Sequence, residues 1–87
     1  MKTIDINAAS YTDVYGNTYL AAELVVNYGI SDEKVYKTGV VYGYGDCYIF
    51  HCLQMIGFKT THEVRKAGII FRYNMTKGRK KDLSKYL

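Results

Sequence analysis

Cys47 and His51 are the pair of residues in this sequence with the clearest potential for chemistry. They lie four positions apart in a segment with helical periodicity, so they would share one face of a helix. A thiol in the first turn of a helix has a lowered pKa, and an imidazole one turn away could act as its base. However, no third orienting group is identifiable, and the neighbouring Asp46 opposes thiolate formation. We therefore predict no catalytic residue and a protein that is not an enzyme.

The same region does not predict a metal centre. Cys47, His51, Cys52 and His62 match no zinc-ligand spacing, and the helical periodicity points Cys52 into the core. Because the two cysteines diverge on one helix, we expect both to be reduced. The Gly-Tyr-Gly sequence at 43–45 is similar to loops that hold phosphate, but it lacks the rest of a dinucleotide or P-loop motif. We predict neither a metal nor a cofactor.

Tyrosine is unusually abundant, since ten of the 87 residues are tyrosine and none is tryptophan. Tyrosines in strands are usually half-buried cross-strand partners, which accounts for about six of them. The others lie at turns and at a predicted junction between a strand and a helix, where we expect exposed rings: Tyr15, Tyr42, Tyr44 and Tyr48. Exposed rings serve as stacking platforms for bases or as anchors in protein interfaces, and the sequence does not separate these uses.

Positive charge is concentrated towards the C-terminal end of the sequence. The net charge is +4, of which residues 1–43 contribute −2 and residues 44–87 contribute +6. Five of the last eleven residues are basic, and four of them are predicted to contact a partner: Lys77, Arg79, Lys80 and Lys81. Such a concentration favours acidic partners, either phosphate backbones or acidic protein surfaces. The alternative is a solvated tail that is basic for solubility.

The first half of the chain has an apolar periodicity of two, which predicts strands. We predict strands over residues 2–12, 18–28 and 35–42, and the first two form a hairpin around a turn at 13–17. In the third strand, alternation places four residues on one face: Tyr36, Thr38, Val40 and Tyr42.

The periodicity then changes to 3.6, which predicts a main helix over residues 46–56. Asp46 is a suitable N-cap, and Gly57 is a suitable residue just after the helix. Tyr48, Phe50 and Met55 widen its apolar arc, so we expect this helix to be largely buried against the sheet.

The remaining residues complete an α+β fold. Thr60 and Glu63 form a capping box that opens a short second helix, and residues 69–75 are the fourth strand. We predict one domain over residues 1–87 with the order βββαβ: two layers, a mainly antiparallel sheet of about four strands, and one main helix packed on it. The basic C-terminal segment, residues 76–87, ends in a helical turn or a frayed end. The exposed edges of such a sheet can pair with a second copy of the chain, so a homodimer is an alternative to a monomer.

Three short motifs resemble a group of small proteins encoded by bacteriophages and prophages. They are Asp-Val-Tyr-Gly-Asn-Thr-Tyr at 13–19, Tyr-Gly-Tyr-Gly-Asp-Cys-Tyr at 42–48, and Arg-Lys-Lys-Asp-Leu at 79–83. The resemblance spans most of the chain, but Cys47 and the Phe-His-Cys sequence at 50–52 depart from it. The group offers no activity to transfer. It implies expression from a mobile element in a bacterial cytoplasm, where many such proteins bind a host or defence machine, including anti-CRISPR inhibitors.

Two functions remain open from these observations. In the favoured one, the protein binds and modulates or inhibits a host or defence protein or nucleoprotein machine. In the alternative, it binds nucleic acid directly, with lysines on phosphates and tyrosines on bases. Acidic residues at 13, 23, 32 and 33 oppose the alternative unless they lie on the far side of the domain. Because we find no signal peptide and no run of about 18 apolar residues, we expect no membrane association and a location in the bacterial cytoplasm.

Overall fold

A β-hairpin forms the centre of the sheet. In the computed structural model, which describes residues 2–43 and 47–86, strand β1 (Thr3–Thr12) pairs antiparallel with β2 (Thr18–Val26). The Asp13 carboxylate accepts hydrogen bonds from the backbone N–H groups of Tyr15 and Asn17, each at 2.9 Å. Gly16 has a φ of +84°, a conformation that favours glycine. The predicted hairpin and its turn are therefore confirmed.

Strand β3 (Lys34–Tyr42) pairs antiparallel with β2 and contains a β-bulge. Glu23 lies opposite Lys37 and Ala21 lies opposite Val40, so two residues of β3, Thr38 and Gly39, share the position opposite Ala22. The Ala22 N–H donates to the Thr38 hydroxyl at 3.0 Å, and Gly39 has a φ of +70°.

The bulge changes which face of the sheet the end of β3 presents. One extra residue inverts the alternation, so Tyr36 packs into the main core whereas Val40 and Tyr42 lie on the opposite face. The predicted common face for residues 36, 38, 40 and 42 is therefore wrong, because the prediction assumed an uninterrupted period of two. Val40 and Tyr42 do share a face, but Tyr36 lies on the other one.

Two helices connect β3 to the last strand. Helix α1 (Cys47–Met55) agrees with the predicted main helix, although its predicted N-cap at residue 46 lies outside the described residues. Helix α2 (Thr61–Lys66) begins with the predicted cap, since the Glu63 N–H donates to the Thr60 hydroxyl at 3.2 Å. The Glu63 carboxylate accepts in turn from the backbone of Lys59.

Strand β4 (Ile70–Lys77) lies parallel to β1, which gives the sheet order β3-β2-β1-β4. Two of the three pairings are antiparallel, and α1 packs on one face. The α+β fold with the order βββαβ is thereby confirmed. Among the described residues, no helix combines the length and apolar character needed to cross a bilayer.

The main core lies between α1 and the sheet. Its fully buried large side chains come from β1, β2, α1 and α2: Ile4, Ile6, Leu20, Leu24, Cys52, Leu53 and Val64. Burying each large aliphatic side chain stabilises the fold by roughly 1.5–3 kcal/mol. Phe50 and Met55 are exposed, because only one side of α1 contacts the sheet. The expectation of a largely buried helix is therefore wrong for these two residues.

A 3₁₀ helix (Lys80–Tyr86) covers part of the opposite face of the sheet. Leu83 is 4% exposed and packs against Ala9 and Ala21, which are cross-strand neighbours on β1 and β2. The small alanine side chains allow this close approach. The predicted helical turn is present, and it is docked on the sheet. We call this side, which carries the 3₁₀ helix, the outer face.

Candidate partner-binding surface

Three tyrosines form a row across the outer face, one from each of three neighbouring strands. Tyr11 on β1 lies opposite Tyr19 on β2, which lies opposite Tyr42 on β3. The Tyr11 and Tyr19 rings are stacked with centroids 6.5 Å apart, and Tyr19 meets Tyr42 edge to face at 5.6 Å. We call these residues the tyrosine row.

The exposed member of the row, Tyr42, is held by the hairpin turn. Its hydroxyl donates to the Asn17 side-chain carbonyl at 2.9 Å, and the Asn17 N–H in turn donates to Asp13. The β3 bulge places Tyr42 on the outer face, so the row depends on that irregularity. An aromatic ring fixed in this way loses little conformational entropy when a partner covers it.

A pocket lies between the tyrosine row and the 3₁₀ helix. It has a volume of about 520 Å³ and is open to solvent on one side. Its lining combines apolar and charged residues: Tyr11, Asp13, Tyr19, Val40, Lys80, Leu83 and Ser84. We call this the tyrosine pocket. It brings aromatic rings and a cation together at one place.

The basic residues of the C-terminal segment do not all lie at this pocket. Lys80 lines it, whereas Lys77 lines a separate depression at the end of the sheet's helix-bearing face. Arg79 and Lys81 are exposed beside Lys80. Asp82 is engaged within the segment, because its carboxylate accepts the Arg79 N–H at 2.7 Å. This hydrogen bond, together with nearby cations, lowers the pKa of Asp82.

The four predicted tyrosine contacts fall in different environments. Tyr15 is exposed at the hairpin tip and Tyr42 belongs to the tyrosine row, but Tyr44 lies outside the described residues. Tyr48 is only 3% exposed and packs in the main core. The expectation of an exposed Tyr48 ring is therefore wrong, whereas its placement in the apolar arc of the helix is confirmed, because the second position of α1 faces the sheet.

Tyr11, Tyr19 and Val40 belong to this surface but were not predicted to do so. A signal for the first two was present in the sequence, since each lies two residues from the turn at 13–17 and they must therefore face each other in the hairpin. Simple alternation put Val40 on the face of Tyr36, whereas the bulge turns it to the outer face.

The other half of the outer face is polar. The Arg72 guanidinium on β4 forms a bidentate ion pair with the carboxylate of its neighbour Asp5 on β1. The Arg72 Nε lies 2.6 Å from one carboxylate oxygen, and a terminal nitrogen lies 3.1 Å from the other. Glu23 lies on the same face, between this ion pair and the tyrosine row. Carboxylates thus share the outer face with the tyrosines.

The cysteines and histidines are not gathered into a site. Cys47 is half-buried and His51 is exposed on α1. Burial raises the pKa of the Cys52 thiol to about 11, so this group is a neutral core side chain at physiological pH. Within residues 2–43 and 47–86, no three His, Cys, Asp or Glu side chains are grouped to hold a metal ion.

Comparison with known proteins gives no assignment. No protein-family model matches this chain. Neither the curated proteins nor the solved structures include a significant match to it. The function must therefore be inferred from the chemistry of the outer face.

Proposed function

We propose that this protein is a non-enzymatic accessory protein of the type encoded by phages and prophages. It binds a host or defence protein, or a nucleoprotein machine, in the bacterial cytoplasm and modulates or inhibits it. An anti-CRISPR inhibitor is one candidate within this class. The observation that carries the proposal is the tyrosine row, two of whose members, Tyr11 and Tyr19, line one pocket together with Lys80 of the basic 3₁₀ helix.

The chemistry of this surface suits a protein partner. Tyrosine is among the residues that dominate binding energy in protein interfaces. Tyr42 is 67% exposed yet held by the Asn17 hydrogen bond, so it can contact a partner without reorganisation. The exposed Lys80 and Lys81 would steer an acidic surface towards the rings.

Two carboxylates near the tyrosine row count against nucleic acid as the partner. Asp13 lines the tyrosine pocket, and Glu23 lies on the same strand face as Tyr19. The phosphates of a nucleic acid strand that crosses the rings would approach these carboxylates and be repelled by them. Acidic residues were expected to oppose nucleic acid unless they lay on the far side of the domain. Asp13 and Glu23 are on the near side.

Direct binding to nucleic acid is the second candidate, and one observation favours it. Lys80 lines the same pocket as Tyr11 and Tyr19, so a phosphate and a stacked base could be bound together. This mode would make log affinity fall linearly with log salt, with a slope of about 0.7–0.9 per neutralised phosphate.

Copurification of the tagged protein from a bacterial host tests the proposal. We expect a protein to be retained after nuclease treatment, and purified protein to have negligible affinity for free DNA or RNA at physiological salt. Tyr42→Ala should weaken the protein complex by roughly 2 kcal/mol or more, mainly through faster dissociation.

Tyr28→Ala is the matched control for that substitution. The Tyr28 ring is 65% exposed, close to the value for Tyr42, but it lies beyond the far end of β2. Equal losses for the two variants would argue against the tyrosine row as the contact. The proposal would be overturned if the protein bound free nucleic acid with submicromolar affinity, if neutralising Lys80 and Lys81 abolished that binding, and if Tyr42→Ala did not change it.

A further inference from the structure

We infer that the tyrosine pocket is the anchor point for an acidic polypeptide segment, from which it takes one aromatic or branched aliphatic side chain. This inference rests on the proposed function and specifies the chemistry of the partner. It follows from the mainly apolar lining of the pocket, the charge at its rim and its position beside the edge strand β3.

The apolar part of the pocket lining comes from the sheet and the 3₁₀ helix, which support each other. Tyr11, Tyr19 and Val40 belong to the sheet, and Leu83 belongs to the 3₁₀ helix. Because Leu83 is buried against the sheet, the helix holds its side of the pocket in place. The volume of about 520 Å³ falls within the range of pockets that hold organic ligands, so a large apolar side chain can enter.

The charges at the rim favour an acidic sequence around that side chain. Lys80 lines the pocket, and Lys81 and Arg79 follow and precede it on the exposed surface. The Asp13 carboxylate already accepts two backbone hydrogen bonds within the hairpin turn, and Asp82 accepts one from Arg79. These hydrogen bonds leave both carboxylates charged, but the three cations outnumber them, so a short acidic segment meets a net positive charge at this rim. A nucleic acid strand that crosses the whole face would in addition approach the carboxylate on β2.

The position of the pocket suits an extended polypeptide. Val40 belongs to β3, which is the edge strand of the sheet on this side. An edge strand offers backbone hydrogen-bonding groups to an added strand, whose alternate side chains would point towards the outer face. A second copy of this chain is a poorer occupant, because its own net charge is +4 and its C-terminal segment is basic.

NMR titration of the ¹⁵N-labelled full chain with three blocked pentapeptides tests the inference. The probes are Asp-Glu-Phe-Glu-Asp, Asp-Glu-Ser-Glu-Asp and Lys-Lys-Phe-Lys-Lys. We expect the first to shift the amide signals of Tyr11, Tyr19, Val40 and Leu83. Removing the phenyl group should weaken binding about tenfold or more, from the burial of that ring. The third peptide, in which the charges are reversed, should also bind more weakly than the first.

Val40→Asp and Val35→Asp form a matched pair for this titration. Both valines are 51% exposed, and both lie on the outer face of β3, but only Val40 lines the pocket. We expect Val40→Asp to lower the affinity for the acidic phenylalanine peptide about tenfold or more. Val35→Asp should leave it unchanged, and circular dichroism should show that both variants are folded.

Three outcomes would overturn the inference: equal losses for the two variants, shifts centred on α1, or no shifts with any peptide. These outcomes are distinct from failure of the proposed function. A host protein retained equally by wild type and Val40→Asp would overturn the pocket inference alone. Recovery of nucleic acid as the sole ligand would overturn the proposed function itself.

Discussion

Replacing Leu83 with alanine should detach the 3₁₀ helix from the sheet more than it disturbs the main core. Leu83 packs on Ala9 and Ala21, with tyrosines around them, in a cluster separate from the main core. The substitution removes three carbons, and at about 0.8 kcal/mol for each buried methylene it should cost about 2 kcal/mol. Because the cluster lies beside an open pocket, water can fill the space and little further cavity cost is expected.

Leu53→Ala provides the scale for this measurement. Leu53 is fully buried between α1 and the sheet, so its replacement leaves an enclosed cavity and should cost about 3 kcal/mol or more. Urea unfolding followed by circular dichroism at low temperature would measure both losses. For a domain of this size, a loss of about 2 kcal/mol corresponds to a midpoint lowered by roughly 8–16 °C.

Hydrogen exchange separates local detachment from global unfolding. The Gly78 N–H donates to the Ser10 carbonyl at 2.8 Å, immediately before the 3₁₀ helix. In Leu83→Ala this amide should lose more protection than the amides at the centre of β2. A stability loss below about 0.5 kcal/mol, within the range of ordinary surface substitutions, would refute the docking of the helix. A loss matching that of Leu53→Ala would refute the separation of the two clusters.

The remaining predictions concern the segment before the 3₁₀ helix and the candidate nucleophile. In Gly78→Ala, the added β-carbon would approach the Asp82 carboxyl carbon to 3.0 Å and displace the carboxylate from the Arg79 N–H. Because that hydrogen bond is lost, the thermal midpoint of unfolding should fall and the pKa of Asp82 should rise. An unchanged Asp82 titration by NMR would contradict this. Cys47→Ser and His51→Ala should leave partner binding unchanged, because neither residue lines the tyrosine pocket; loss of binding by a folded variant would revive a role for this pair.

Local sequence signals predicted the elements well but not their arrangement in space. The hairpin follows from the chemistry of a few adjacent residues, since Asp13 and Gly16 specify a turn between two alternating segments. The capping box at Thr60 is local in the same way. The parallel pairing of β4 with β1 is not, because it brings Thr3 opposite Ile70 across most of the chain. No short motif encodes such a pairing.

The bulge in β3 shows why the candidate surface was only partly predictable. Gly39 in an otherwise β-forming segment is a recognised sign of a bulge, but its effect depends on which residue of β2 it opposes. The bulge decides whether Tyr42 faces the main core or the outer face. For Tyr48 the sequence supported two conflicting expectations, exposure at a strand-to-helix junction and burial from the helix phase, and the helix phase is the one that holds.

Two local features together create the tyrosine pocket, and neither is sufficient alone. The alanine pair at 9 and 21 lets Leu83 approach the sheet, which brings Lys80 alongside the rings. The bulge at Thr38 and Gly39 turns Val40 to the same face, where it forms the opposite wall. A larger residue at either alanine would hold the basic helix away, and a regular β3 would send Val40 into the main core. The surface therefore depends on packing between segments far apart in the chain, so the charge and tyrosine content of the sequence could indicate a binding function without locating its centre.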